Sequence, residues 1–579
     1  MFNPKIVDSL SADYTISSYK EDIQIEHFND EEAKILDRNI TNATSNVFAW
    51  KVSENLTHEQ VGALLSRYSR TSLTGRRLFL KEFYPNKDRG REFFDAWLVD
   101  YGDDSIQEMA GGLPLSCEFI SNLAVKEIED CRLGSYIEKS TRYVPFDKKL
   151  PNGEYMFYKD PDIMDSRYSG DYLDLMHGLF SSYSANMDRM IGYIRNTNPI
   201  NGISFRFGES SKKITEMRNG DFEAYGATEE DLRKAYENAI RANALDFLRD
   251  YLPMSTLTHV GVSMDARSYE NLVHKLISSG LGEARTLGKR ILSEMRNIAP
   301  SLLKRVDEEH GLAMQNFMKE RRENAGSFVN ALKVDPKPVT DSVALVDYTG
   351  EGSDNADHKA QIAISGPILY TFSDGLGMKE AMERAKSMGE AGRKGLIAAY
   401  VGPRANRRHK PGRAFENVEY LFDLNGRIGI YRDIQRHRIG TQERQNFSIV
   451  HGYETRPAFG EIGIEDDYRQ KMSDVKSLYQ KLHSILPHQA QYAVTFGFDI
   501  SWYYRLNARQ LYHLCELRSS QQGHPDYRKL VQQMAIAAKK VHPTVIEHMR
   551  YLNMSDKTLG RLDSEIRIAV KKNAISKQS

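Results

Sequence analysis

Two stretches of this chain carry versions of one motif, each broken in a different place. Residues 436–446 read RHRIGTQERQN, and residues 130–143 read DCRLGSYIEKSTRY. The first has an intact Arg436-His437-Arg438 head and a degraded tail, and the second has a degraded head and an intact Glu138-x-Ser140-x-Arg142-Tyr143 tail. Aligned on Arg132 and Arg438, each supplies what the other lacks, as two halves of one composite site would. Two guanidiniums flanking an imidazole suit an anionic or planar ligand, since arginine grips phosphate bidentately and stacks on rings. The Glu138–Arg142 stretch, with Ser140 and Thr141, could offer a backbone N–H, a hydroxyl and a guanidinium to one phosphate. An ordinary polar loop would read the same way.

A second matched pair follows in the same order. DARSYENLVHKL at 265–276 resembles NARQLYHLCELR at 507–518. In the latter, Asn507, Leu511, Leu514 and Arg518 fall on one helical stripe. An asparagine and an arginine on an apolar stripe need partners, and either a bound ligand or a buried ion pair would serve. In the earlier copy the stripe reads Asp265, Tyr269, Leu272, Leu276, so the arginine position is leucine. His437 similarly extends an apolar stripe through Ile430 and Ile434. His409 lies in a basic loop, RRHKPGRAFENVEYLF, with Asp103 as its counterpart in the first half.

These elements must be held by something, and the chain is long enough for two to four domains. An internal repeat is the reading that covers both pairs. The expected division is an N-terminal extension over 1–60 with a strand near Ile23 and Ile25, a first domain over 61–330, a second over 331–560 and a basic tail over 561–579 that frays. Helical spacing of apolar residues is read from about 61 through 143, then over 229–256, 265–296, 376–400 and 465–550. Residues 144–230 read as loop-rich, the pattern loosens after Pro300, and VALVDY at 343–348 reads as a strand.

Seventy-nine basic residues balance 79 acidic ones, which argues against a non-specific nucleic-acid binder. Three cysteines form no paired framework or zinc spacing and point to a reducing cytoplasm. Cys117 lacks the charged setting of a nucleophile. No apolar run is long enough to span a membrane, and the N-terminus lacks a signal-peptide layout. No phosphate-binding glycine loop is present.

The spacing of Arg-His-Arg, the following serine position and Ser-x-Arg-Tyr resembles the signature of the flavin-dependent thymidylate synthases, the ThyX family. The chain looks like a tandem of two such domains, over roughly 60–320 and 340–555. The resemblance implies an α+β fold, each half a twisted, mostly antiparallel sheet flanked by long helices. It implies C5 methylation of dUMP with methylenetetrahydrofolate as carbon donor, FAD as hydride carrier and NADPH as reductant. It implies a homodimer that mimics the family's homotetramer. By position, Arg518 would polarise the pyrimidine. Glu138, Ser140, Thr141, Arg142, Arg249 and Arg436 would bind the nucleotide. Arg436, His437, Arg438, His409, Glu416, Asn507, Arg509, Arg267 and Asn271 would meet the flavin. The residues kept by one half complement those kept by the other. The opposite pairing, Asp130, Cys131 and Leu276 against Arg444, Asn446 and Ser448, would be dead. Three departures stand out: His513 for asparagine, Asp433 for glutamine and Arg413 for a small hydroxyl residue. A relative that binds nucleotide or flavin without chemistry is the alternative, and a nucleic-acid binder using the basic loop and Arg-His-Arg is a third reading.

Overall fold

A computed structural model describes residues 13–94, 104–207, 210–335, 337–556 and 559–576. Its strands in chain order are β1 (Asp13–Ser18), β2 (Glu21–His27), β3 (Val47–Ala49), β4 (Leu113–Ser121), β5 (Ser135–Glu138), β6 (Ser204–Phe207), β7 (Ser210–Lys213), β8 (Leu257–Met264), β9 (Val343–Tyr348), β10 (Glu419–Arg427), β11 (Thr441–Arg444) and β12 (Asp499–Asn507). The chain forms two compact units. Residues 1–193, 241–336 and 455–497 make the first; 194–240, 337–454 and 498–579 make the second.

The first unit is built on an antiparallel sheet of order β3-β4-β8-β5, and the second on an antiparallel sheet of order β9-β10-β12-β11. The connectivity is the same in both. A central strand (β4 or β10) runs into a short helix, Asn122–Ile128 or Ile428–Ile434. The Arg-containing motif follows, then an edge strand (β5 or β11). The other central strand (β8 or β12) then feeds a helix, Ala266–Ile277 or Ala508–Arg518. That helix is capped by Asp265 or Asn507, whose side chain accepts the N–H of Ser268 or Gln510 at 2.8 and 2.9 Å. An Asx N-cap satisfies a donor the first turn leaves orphaned. The internal repeat is thus a repeat of topology as well as of sequence, and the α+β expectation holds in both halves.

Several element expectations are corrected. The 113–143 stretch is strand, short helix and strand. Its apolar run packs on both faces of β4, and periodicity alone does not separate a fully covered strand from a buried helix. β8, every residue of which is buried, falls between the two expected helices, and β12 interrupts the helices expected over 465–550. The helix from 229 ends at Leu248. The loop-rich 144–230 stretch contains helices Ser169–Ala185 and Met187–Thr197. Tyr172, Leu175, Met176, Leu179, Phe180 and Tyr183 form the buried stripe of the former, and glycine, serine and aspartate between them mask it. Past Pro300 lies helix Glu309–Ala331, with only Gly311 and Gln315 buried, so no amphipathic signal marks it. The expected fraying tail is helix Leu562–Ser576, with Leu562 and Ile566 buried. The strands expected near Ile23 and over 343–348 are present as β2 and β9.

No helix among the described residues is long and apolar enough to cross a membrane. Among the described residues no cluster of histidine, cysteine or carboxylates could hold a metal ion.

Candidate active site

In the first unit the motif tail leaves the edge of the sheet. Ser140 donates its backbone N–H to the Ser69 carbonyl at 2.9 Å, and its hydroxyl accepts the Arg142 N–H at 3.3 Å, closing a turn. Thr141 is buried. Glu138 is held from below by Lys126, a fully buried lysine 3.3 Å away that also pairs with Glu129. This arrangement commits the Glu138 carboxylate to the scaffold, and the Lys139, Ser140 and Arg142 backbone N–H groups are spent on His259, Ser69 and the Ser140 hydroxyl.

Arg142 and Arg249 are far apart in sequence but meet at one carboxylate. Asp246 lies 3.0 Å from Arg142 and 3.9 Å from Arg249. Arg249 begins the 3-10 turn Arg249–Tyr251, and its neighbours anchor that turn. Asp250 forms a buried two-point ion pair with Arg456 at 2.5 and 3.2 Å, and the Tyr251 hydroxyl donates to Asp467 at 3.0 Å. Two guanidiniums converging on one carboxylate form an arrangement of the kind that can grip phosphate. Sequence reasoning did not find Asp246. An acid one helical turn before a functional arginine was the available signal.

In the second unit the other set converges. Arg518, at the end of the Ala508–Arg518 helix, donates its Nε–H to His437 Nε2 at 2.7 Å. The His437 carbonyl accepts from Gln442 at 2.7 Å and from the Tyr504 hydroxyl at 3.1 Å, which fixes the histidine backbone. Burial, then the charge of Arg518 and the neighbouring His513, hold the His437 pKa well below the usual histidine range. The imidazole is therefore neutral, as an acceptor from arginine must be. Burial also lowers the pKa of Arg518, whose guanidinium lies over the Tyr527 ring at 5.6 Å. Asp433 is 2.5 Å from Arg436 and 4.0 Å from Arg518. The expected stripe is present: Ile430, Ile434 and His437 are buried, as are Leu511 and Leu514. The fold gives Arg518 a partner that was not expected, a neutral histidine, with the Asp433 carboxylate 4.0 Å away.

Of the second-unit residues expected to meet flavin, Arg509 and Glu416 are brought together. Arg509 donates to the Pro411 carbonyl at 2.9 Å and reaches Glu416 at 3.4 Å, and Arg413, mostly exposed, pairs with the same carboxylate at 3.3 Å. Asn507 uses its side-chain oxygen as the helix cap. His409 is exposed, and its imidazole accepts the Ala405 N–H at 3.1 Å. The loop bearing it is tied down by Arg404, which donates to the His409 carbonyl at 2.5 Å and forms a buried bidentate pair with Glu516 at 2.8 and 2.5 Å. Glu516, the acid of Glu-Leu-Arg, therefore braces the loop while Arg518 faces the site. Arg404 was not singled out in the sequence, since a single arginine in a basic loop carries no mark of burial.

In the first unit Arg267 and Asn271 are exposed, one turn apart on the Ala266–Ile277 helix. Asp103 lies outside the described residues. At the degraded positions, Asp130 is ion-paired to Lys275, Leu276 is fully buried, and Arg444 lies over Phe447 at 4.3 Å. All three cysteines are unpaired, and burial raises each thiol pKa, Cys131 to about 11, which removes them as nucleophiles.

Residues 51–301 and 345–544 match the family described as thymidylate synthase complementing protein. A UPF0159 protein of Chlamydia pneumoniae is 34% identical over 563 residues, covering 94% of this chain and 98% of that protein. A UPF0159 protein of Thermoplasma acidophilum is 31% identical over 526 residues, covering 89% of this chain and 99% of that one. Among solved structures, a UMP/dUMP methylase PolB from Streptomyces cacaoi bound with 5-Br dUMP aligns with a TM-score of 0.28 at 16% identity, covering 37% of this chain and 96% of that one. The repeated strand–helix–motif topology and two matched segments that together span most of the sequence place this chain in the thymidylate synthase complementing protein family.

Proposed function

We propose that the protein is a flavin-dependent thymidylate synthase-like enzyme. It methylates C5 of dUMP, or of a related pyrimidine nucleotide, with methylenetetrahydrofolate as carbon donor and NADPH as reductant. It acts in the cytoplasm as a homodimer, with one composite site formed by the two half-sets. The observation that carries this reading is complementary survival. The first unit retains a braced pair of phosphate-type arginines, Arg142 and Arg249, and the second retains a braced Arg518–His437 pair. Decay without selection would strike both sets regardless of how they pair.

The residues fit a dinucleotide cofactor in chemistry. Arg436, Arg438 and Arg509 supply guanidiniums, and Arg436 and Arg509 keep 46% and 39% of their side chains accessible. With Glu416, His409, His437, Asn507, Arg267 and Asn271 they would hold FAD, which when bound supplies the hydride. The chain's own residues do the rest. Arg142 and Arg249, with the Ser140 hydroxyl, take the nucleotide phosphate. Arg518 presents N–H donors to a pyrimidine carbonyl and stabilises charge that develops on the ring. His437 aims Arg518 without adding a competing cation. The second reading, binding without turnover, draws on Arg413, which places an added cation on Glu416 beside Arg509.

The test is the visible spectrum of the purified protein with added FAD, followed by deuterium transfer from reduced flavin to the nucleotide methyl. Flavin bands and label in the product are expected. A protein that stays colourless with FAD overturns the enzyme reading. A coloured protein without transfer leaves the binding-only reading.

A further inference from the structure

The first unit encloses a cavity of about 120 Å³, and none of its lining residues belongs to either half-set above. One wall is the β1–β2 hairpin, through Ile16 and Ile23, and Asn46 adds to the rim. These residues lie outside the segments matching the family, 51–301 and 345–544, so this wall is an addition to the shared fold. Opposite are Leu257 and the Gly282–Ile298 helix, with Thr286 and Arg290 exposed at the mouth.

Phe119, Phe157 and Tyr158 make the interior aromatic. Phe119 sits at a register shift in β4, between Cys117 and Ile120, with φ of 49°. A left-handed phenylalanine is strained and persists only where its surroundings hold it. An apolar cavity of about 150 Å³ holds one benzene ring, so this one is sized for a single ring.

The polar groups decide the ligand's charge. Glu283 is already saturated, accepting the Ser121 N–H at 2.8 Å, the Ser121 hydroxyl at 2.5 Å and the Tyr492 hydroxyl at 2.9 Å. Glu154 pairs through Oε2 with His177 at 3.2 Å and Lys159 at 3.6 Å, and that oxygen accepts no hydrogen bond among the described residues. Two donors are unused. The Tyr158 hydroxyl has no partner among the described residues, and burial, with Glu283 nearby, keeps it protonated. Arg290 spends one N–H on Asn46 at 2.5 Å and keeps the rest of its fork.

We propose that this cavity is a second ligand site, for a single-ring aromatic acid. Its ring lies among Phe119, Phe157 and Leu257, and its carboxylate meets Arg290 and the Tyr158 hydroxyl. The site is independent of nucleotide chemistry and stands or falls without it.

The test titrates the full chain with benzoate, benzylamine and benzyl alcohol by ligand-observed NMR and calorimetry. Benzoate is expected to bind one per chain and to outcompete the other two. Arg290→Gln should weaken it about tenfold, the scale of a charge-assisted hydrogen bond. Tyr158→Phe should weaken it less, and Thr286→Trp should plug the mouth and abolish it. Arg290 and Thr286 are exposed, so both variants fold, and nucleotide binding measured on the same samples should not move. Benzylamine binding as well as benzoate, benzoate binding unchanged in Arg290→Gln, or no binding of any probe at millimolar concentration each overturns the proposal.

Discussion

At the scale of residues, the assignment rests on what each arginine is tied to. Arg518 is held by a neutral acceptor, so its charge stays available to a substrate. Arg518→Ala should lower kcat by about 10²–10³-fold, the usual cost of losing one transition-state donor, with an unchanged circular dichroism spectrum. His437→Leu removes the acceptor and should show part of that loss, while His437→Gln, which keeps an acceptor, should recover most of it. Burial and Arg518 push the His437 pKa down, so it stays neutral throughout the ordinary histidine range. The kcat profile should therefore show no acid limb near pH 6.5 from this residue, and a limb there that disappears in His437→Gln would contradict the assignment. Asp246 acts on the other half-set. Asp246→Asn frees Arg142 and Arg249 from their shared carboxylate. Nucleotide KM should rise about tenfold with kcat nearly kept, as expected where positioning and not chemistry is lost.

At the scale of elements, the same helix faces two ways. Glu516 is sealed against Arg404 while Arg518, half a turn on, reaches His437. Removing one partner of a buried pair strands a charge. Glu516→Leu or Arg404→Met should each destabilise the fold by about 3–5 kcal/mol in urea unfolding, and the double variant should regain much of it. If the singles cost no more than exposed pairs do, the brace is not structural. Glu283, at the start of the Gly282–Ile298 helix, gives a pH signature. Burial raises its pKa to about 7, against about 4.3 in an unfolded chain. The folded state then binds more protons than the unfolded state between those values, so this carboxyl stabilises most at low pH and its contribution is lost as pH rises to 7. Stability measured from pH 5 to 7 should fall less steeply in Glu283→Gln than in the parent, and an identical slope would remove the carboxyl as its source.

At the scale of the whole molecule, two family segments lie in tandem in one chain. If the surviving half-sets make one site, calorimetry should count one pyrimidine nucleotide per chain, and Arg444→Ala, in the degraded set, should leave turnover unchanged. Two nucleotides per chain would mean that the degraded pairing still works. The candidate residues were legible because their type and spacing are local: Arg-His-Arg, Glu-x-Ser-x-Arg and the Arg518 stripe each lie within a few turns of chain. The repeat and the α+β class followed from matching those pieces in order. What sequence did not disclose were elements whose signal depends on their surroundings. β4 and β8 are covered on both faces and so lack alternation, and the Glu309–Ala331 helix is exposed nearly all round and so lacks an apolar stripe. Nor did it disclose that residues 455–497 belong with the first unit and 194–240 with the second. The sequence by itself determined the family, the α+β class and the two broken copies of one motif that nominate the candidate side chains. Only the tertiary structure decided what holds them: His437 for Arg518, Asp246 for Arg142 and Arg249, Lys126 for Glu138 and Arg404 for the His409 loop. His437–Arg518 and Asp246–Arg142 act across long sequence separations, and the nearer pairs gain their weight from burial and low dielectric, which residue type alone does not record.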